Sequence, residues 1–142
     1  MNFSPNSVHI ELHVPDFEKA KDYYGKLGFE VVWERQPEED KGYLVMKMRN
    51  NILCFWPGNE HVYQQPYFQR FPQNTVRGYG VEIVIMVDDV EQYYAKVKND
   101  ANVVEELVLQ PWGNKDFRAA DPFGYYLRFC NEHSILDYNG VE

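Results

Sequence analysis

The densest run of chemistry-bearing side chains is Val8-His9-Ile10-Glu11-Leu12-His13-Val14. Strict alternation puts two imidazoles and one carboxylate on one face of a strand, with the aliphatic residues on the other. A second run, Val81-Glu82-Ile83-Val84-Ile85-Met86-Val87, carries one carboxylate at its start. His9 or Glu82 becomes a general base if burial moves its pKa toward neutrality, which suits an isomerase or lyase. Other chemistries lack their residues. Gly78-Tyr79-Gly80 precedes a strand rather than opening a helix, so it is no phosphate loop. Ser4, Ser7 and Ser134 lie near the ends, and none sits in a nucleophile elbow. Cys54 and Cys130 stand far apart inside apolar patterns, which excludes a disulfide scaffold or a cysteine zinc site. Both read as buried thiols.

The background to these residues is acidic and aromatic. The 142-residue chain has 22 Asp and Glu against 14 Lys and Arg, for a net charge of −8, and 16 % of its residues are Phe, Trp or Tyr. That balance argues against nucleic acid and anionic membranes, whose binding rests on Lys and Arg. No apolar run approaches the roughly 20 residues of a membrane span. The N-terminal MNFSPNSVHIELHVPDF has no basic region and no continuous apolar stretch, so a secretory signal is not expected. The expected location is the reducing cytoplasm.

The elements that must position these residues repeat. Pro15 ends the first strand, Asp16 caps a helix with Phe17, Ala20, Tyr23/Tyr24 and Leu27 at helical spacing, and Gly28 terminates it. Strands are predicted over 29–34, 42–48 and 51–56, the last two a hairpin around Arg49-Asn50-Asn51. The pattern then restarts 73 residues on. Val81, Ile83, Ile85 and Val87 fall on Val8, Ile10, Leu12 and Val14, and Asp89 falls on Asp16 before a second helix with Val90, Tyr93/Tyr94 and Val97. Strands over 103–109, 117–120 and 125–130 follow, broken by Pro111-Trp112-Gly113 and Asp121-Pro122-Phe123-Gly124. The organisation is an internal duplication: module 8–56, module 80–130, a connecting segment 57–77, and a tail 131–142. Neither half is large enough to stand alone, so the two share one domain. The connecting segment holds Tyr63, Tyr67, Phe68 and Phe71, which suits a surface cover better than a disordered spacer.

Two βαβββ repeats with these marks resemble the vicinal oxygen chelate superfamily, which includes glyoxalase I, extradiol dioxygenases and the bleomycin-resistance proteins. The resemblance runs over residues 8–130. It is carried by Val14-Pro15-Asp16-Phe17 leading into Asp22-Tyr23-Tyr24-Gly25-Lys26-Leu27-Gly28-Phe29. It is carried again by Pro111-Trp112-Gly113-Asn114-Lys115-Asp116-Phe117-Arg118 with Asp121-Pro122-Phe123-Gly124-Tyr125-Tyr126-Leu127-Arg128-Phe129. The second block is most similar to the bleomycin-resistance branch. The implied fold is α+β, two tandem βαβββ modules whose curved mixed sheets form a cleft. His9, Glu11 and His13 then face the cleft from one module. Glu82, Val84, Met86, Tyr126, Arg128 and Cys130 face it from the other.

Carried over by position, the metal ligands of the superfamily's enzymes fall on His9, Glu82, Arg128 and a residue within 51–56. Arginine cannot coordinate, and Ile52-Leu53-Cys54-Phe55-Trp56 offers no carboxylate or imidazole. His9 and Glu82 are therefore read as vestiges of a metal site, with no cofactor expected. A rearranged divalent site completed by Glu11, His13 or His61 is the alternative, serving a lyase, isomerase or dioxygenase-like enzyme. Arg128 is expected to pair with Glu82 or Glu11. The cleft walls expected from the resemblance are Trp33, Trp56, Tyr63, Tyr67, Phe68, Trp112 and Tyr126, whose faces stack on planar rings and attract cations. Any single one serves equally as a core or dimer residue; Trp112 and Trp56 stand out because they border turns. The expectation is a homodimer that sequesters an aromatic or cationic ligand, such as a bleomycin-type antibiotic, without altering it.

Overall fold

Apolar alternation decides which face of each strand is buried. In the computed structural model, which describes residues 8–38, 41–57 and 65–135, the first strand β1 is Glu11–His13, with Leu12 and Val14 buried and Glu11 exposed. Helix α1 spans Phe17–Lys26, and the Asp16 carboxylate accepts from the Lys19 N–H at 3.1 Å. Phe17, Ala20, Tyr23 and Tyr24 form its buried stripe. Gly28 at φ 102° closes the helix, with the Phe29 N–H returning to the Tyr24 carbonyl. Strands β2 (Glu30–Glu38), β3 (Lys41–Met48) and β4 (Asn51–Trp56) complete the module.

The second module repeats the plan. Strand β5 is Glu82–Val87, helix α2 is Val90–Val97, and β6, β7 and β8 are Val103–Leu109, Lys115–Ala120 and Tyr126–Asn131. Asp89 caps α2 through the N–H groups of Glu91 and Gln92. The sheet orders are β1-β4-β3-β2 and β5-β8-β7-β6, with the first pair in each parallel and the rest antiparallel. β2 and β6 both carry bulges against their partners. One core runs between the modules, from Val14, Tyr24, Leu44 and Phe55 to Ile85, Phe117, Leu127 and Phe129.

Buried tyrosine hydroxyls join the halves. Tyr23 donates to the Ala101 carbonyl and Tyr24 to the Asp121 carboxylate at 2.6 Å. In return Tyr93 donates to the Leu27 carbonyl and Tyr125 to the His13 carbonyl, each at 2.7 Å. Asp121 is buried and also accepts the N–H groups of Phe123 and Tyr125, so the Asp-Pro-Phe-Gly turn is a structural joint. Much of the aromatic surplus belongs to this joint and the core.

Three expectations need correction. Val8 and Ile10 are 76 % and 65 % exposed, not core-facing, because β1 begins only at Glu11 and none of the described residues covers the stretch before it. β2 runs four residues further than the alternation indicates, because pairing with β3 sustains it as far as Glu38. Cys54 is only half-buried; Cys130 is buried.

Candidate functional site

Each sheet turns one face to the core and leaves the other open. On the first module, register sets His13 beside Trp56 and Glu11 beside Cys54, with Val45 across from Cys54. The His13 and Trp56 rings lie 5.0 Å apart. Arg77, just ahead of β5, donates from Nε to His13 Nδ1 at 2.9 Å, so the proton of the neutral imidazole sits on Nε2 in this arrangement. Further out, His9 Nε2 lies 3.0 Å from the Tyr43 hydroxyl. Burial first, then hydrogen bonds with Cys54 and Glu11, push the Tyr43 pKa upward. The Tyr43 hydroxyl thus stays protonated, close to His9, Glu11 and Cys54.

Over this face folds the end of the connecting segment. A cavity of about 470 Å³ lies between β1 and residues 68–81. Trp56, Phe68, Phe71, Tyr79 and Tyr125 supply its aromatic surface; Glu11, His13 and Arg77 supply its polar groups. A recess of about 300 Å³ shares Val76, Gly78, Tyr79 and Val81 with it and continues to Glu82 and Tyr126. Gly78 makes the corner. Its φ is +72°, and a Cβ there would meet the Tyr125 ring at 2.7 Å.

The second module's open face is ionic. Arg118 Nε donates to Glu82 at 2.7 Å and its Nη1 to Glu105 at 2.8 Å, and the buried Asp116 lies 3.7 Å away. Burial works against the Arg118 charge, but these carboxylates outweigh it and hold its pKa above the ordinary value. Gln110 in turn donates to Asp116 at 2.7 Å. The expected partner of Glu82 was Arg128, on the strand next to β5; instead Arg118 takes that place, its side chain reaching Glu82 from β7, one strand further out. Arg128 is half-buried, with an enclosed Nε that has no acceptor among the described residues.

The structure therefore gathers some predicted site residues and separates others. Glu11, His13, Trp56 and Phe68 share the cavity, and Glu82 and Tyr126 share the adjoining recess. His9 joins Tyr43 instead. Trp33 is exposed on β2, and Tyr67 packs against Phe68, Phe71 and Arg70 on the outside of the segment. Trp112 stands 38 % exposed at the β6–β7 turn and is not among the residues lining the cavity. Tyr63 and His61 lie outside the described residues. Phe71, Arg77, Tyr79, Tyr125 and Arg118 do not stand out from sequence as site residues. Only for Arg118 is there a signal, its place on the same strand face as Asp116.

The metal ligands implied by the resemblance do not fit a metal. Glu82 is held by Arg118, His9 by Tyr43, and Arg128 brings a fixed positive charge. No three His, Cys, Asp or Glu side chains converge to hold an ion among the described residues. No helix among them is long and apolar enough to cross a membrane.

Comparison with known proteins agrees with this architecture. The family model described as Glyoxalase/Bleomycin resistance protein/Dioxygenase superfamily matches residues 6–129. No curated protein matches the chain at significant similarity. Among solved structures, hypothetical protein SA1046 from S. aureus is 24 % identical with a TM-score of 0.66, covering 92 % of this chain and 96 % of that one. UcmS2 is 20 % identical with a TM-score of 0.71, over 92 % and 100 %. A bleomycin-binding protein complexed with bleomycin is 17 % identical with a TM-score of 0.60, over 91 % and 100 %. At these identities the likeness is one of fold.

Proposed function

The chain belongs to the Glyoxalase/Bleomycin resistance protein/Dioxygenase superfamily, and on that premise we propose that it sequesters a planar aromatic or cationic small molecule without a catalytic metal. The observation that carries this reading is the 470 Å³ cavity walled by Trp56, Phe68, Phe71, Tyr79 and Tyr125. Apolar walls with a few convergent polar groups are the usual make-up of a small-molecule site. Aromatic faces add about 0.5–2 kcal/mol for each ring or cation they meet. Glu11 at the cavity edge complements a positive charge. A bleomycin-type antibiotic belongs to this ligand class, and the fold is shared with a bleomycin-binding protein.

The working unit in this reading is a cytoplasmic homodimer. Its support is the exposed apolar surface at both outer strands: Val31 and Val32 on β2, Val104, Val108 and Leu109 on β6. A second copy covering those strands also walls the open sheet faces. Light scattering across a concentration series tests it; a monomer at every concentration removes the dimer from the reading.

The decisive experiment is tryptophan fluorescence during titration with bleomycin and with planar cationic dyes, beside metal analysis of the purified protein. Saturable quenching at micromolar ligand, lost in Trp56→Ala, supports the reading. Stoichiometric, tightly held Zn, Ni, Mn or Fe overturns its metal-free part. No saturable ligand in either set overturns the sequestering function.

A further inference from the structure

The second module's open face holds two arginines on one rung of its sheet, Arg118 on β7 and Arg128 on β8. They differ in what surrounds them. Arg118 is saturated by Glu82 and Glu105, with Asp116 near. Arg128 has no ion pair among the described residues, and its enclosed Nε lacks an acceptor. It sits mid-strand, with Leu127 and Phe129 beside it in the core. A half-buried guanidinium normally finds a carboxylate, because leaving the charge and its donors unmatched is costly. Here the nearby carboxylates are already committed to its neighbour.

Its place relative to the cavity gives that charge a use. The aromatic cavity opens past Val76, Gly78, Tyr79 and Val81 into the recess floored by Glu82 and Tyr126. Arg128 is two residues beyond Tyr126 on the same strand face, about 6–7 Å along β8. A ligand seated among the aromatic rings and extended along this floor reaches Arg128 next. The planar guanidinium fork suits an oxyanion better than any neutral group.

We propose that Arg128 is a specificity residue that receives an anionic group, a carboxylate or a phosphate, at the far end of the ligand held by the aromatic cavity. This rests on the small-molecule reading above and narrows it. The ligand carries a planar ring at one end and an oxyanion at the other, with Glu11 placed to meet a positive charge beside the ring. Arg118 holds Glu82 and Glu105 in hydrogen bonds, so they are engaged away from Arg128, although one guanidinium offsets only one of their two charges.

The test uses naphthyl-alkanoic acids of increasing chain length, their neutral amides, and the matching alkyl phosphates, each titrated against the full chain by fluorescence. At one chain length the acid or phosphate is expected to bind about tenfold or more tightly than the amide. In Arg128→Gln and Arg128→Met that ratio falls to within about twofold of one, with circular dichroism verifying the fold of both variants. A carboxylate preference and a phosphate preference identify which oxyanion is native; either supports the site. Amides that bind with no anion preference at any length overturn Arg128 as a receptor while leaving the aromatic cavity standing. An anion preference that survives both substitutions also overturns it. No binding by any member of the series overturns the cavity reading and this one together.

Discussion

The same ladder rung in the two modules carries opposite chemistry. In the first module the rung is Glu11, Cys54 and Val45; in the second it is Val84, Arg128 and Arg118. Both are held by the same parallel pair, the same antiparallel hairpin and a helix capped by the same kind of aspartate. Behind the sheets, the two modules bury like residues into one core. In front, one became an aromatic cavity with a capping segment and the other an ionic floor. The duplication preserved what packing demands, because a core tolerates little change in volume, and left the open faces to diverge.

The joints between modules differ too, and here the largest effect is expected. Asp121→Ala should cost about 3 kcal/mol in urea unfolding, since it strands the Tyr24 hydroxyl and two turn N–H groups in the interior. The first module's own turn is weaker. Asn51 brackets the Met86 backbone at 2.8 and 3.2 Å while half-exposed, so Asn51→Ala should cost about 1 kcal/mol. Equal losses at the two sites would erase the contrast.

On the faces, Trp56→Ala should weaken an aromatic ligand by about 1.5–2 kcal/mol, roughly 10- to 30-fold, whereas Trp112→Ala should leave affinity within about twofold. A larger effect at Trp112 would move the binding surface to the second module. Arg118→Met should destabilise the fold by about 1–2 kcal/mol by leaving Glu82 and Glu105 unpaired, and the loss should shrink in high salt.

The smallest effect is a pH dependence at the cavity corner. Burial raises the Tyr125 hydroxyl to about 12, partly opposed by Arg77, while the unfolded phenol titrates near 10. A folded pKa above the unfolded one means the contribution is complete below pH 10 and is lost as pH rises through 12. The stability difference between the natural chain and Tyr125→Phe should therefore be about 1 kcal/mol at neutral pH and narrow across that window. A difference that stays constant from pH 9 to 12 would contradict the buried donor.

Local chemistry is legible in the residues themselves. Asp16 and Asp89 read as caps and act as caps, and the strand Asn51–Trp56 keeps its expected bounds, because caps and alternation depend on neighbours in the chain. The inward faces of Leu12, Val14, Ile85 and Val87 follow from period two. Aromatic roles do not follow. Tyr24 and Tyr125 carry nothing in their local pattern that separates a joint from a ligand wall, since a hydroxyl's acceptor lies about a hundred residues away. Glu82 likewise meets Arg118 rather than Arg128, a choice made by strand register and not by spacing.

The residues by themselves determined two βαβββ modules, their caps and turns, and, apart from Val8 and Ile10, which residues of the first strand of each module go inward, all through interactions within a few positions. Only the tertiary structure decided that Arg77 and the 68–81 stretch roof the first sheet, that Arg118 ties up Glu82 and Glu105 on the second, and that Arg128 has no ion pair among the described residues. Those outcomes depend on which distant backbones lie side by side, and long-range pairing leaves no periodic trace in a sequence.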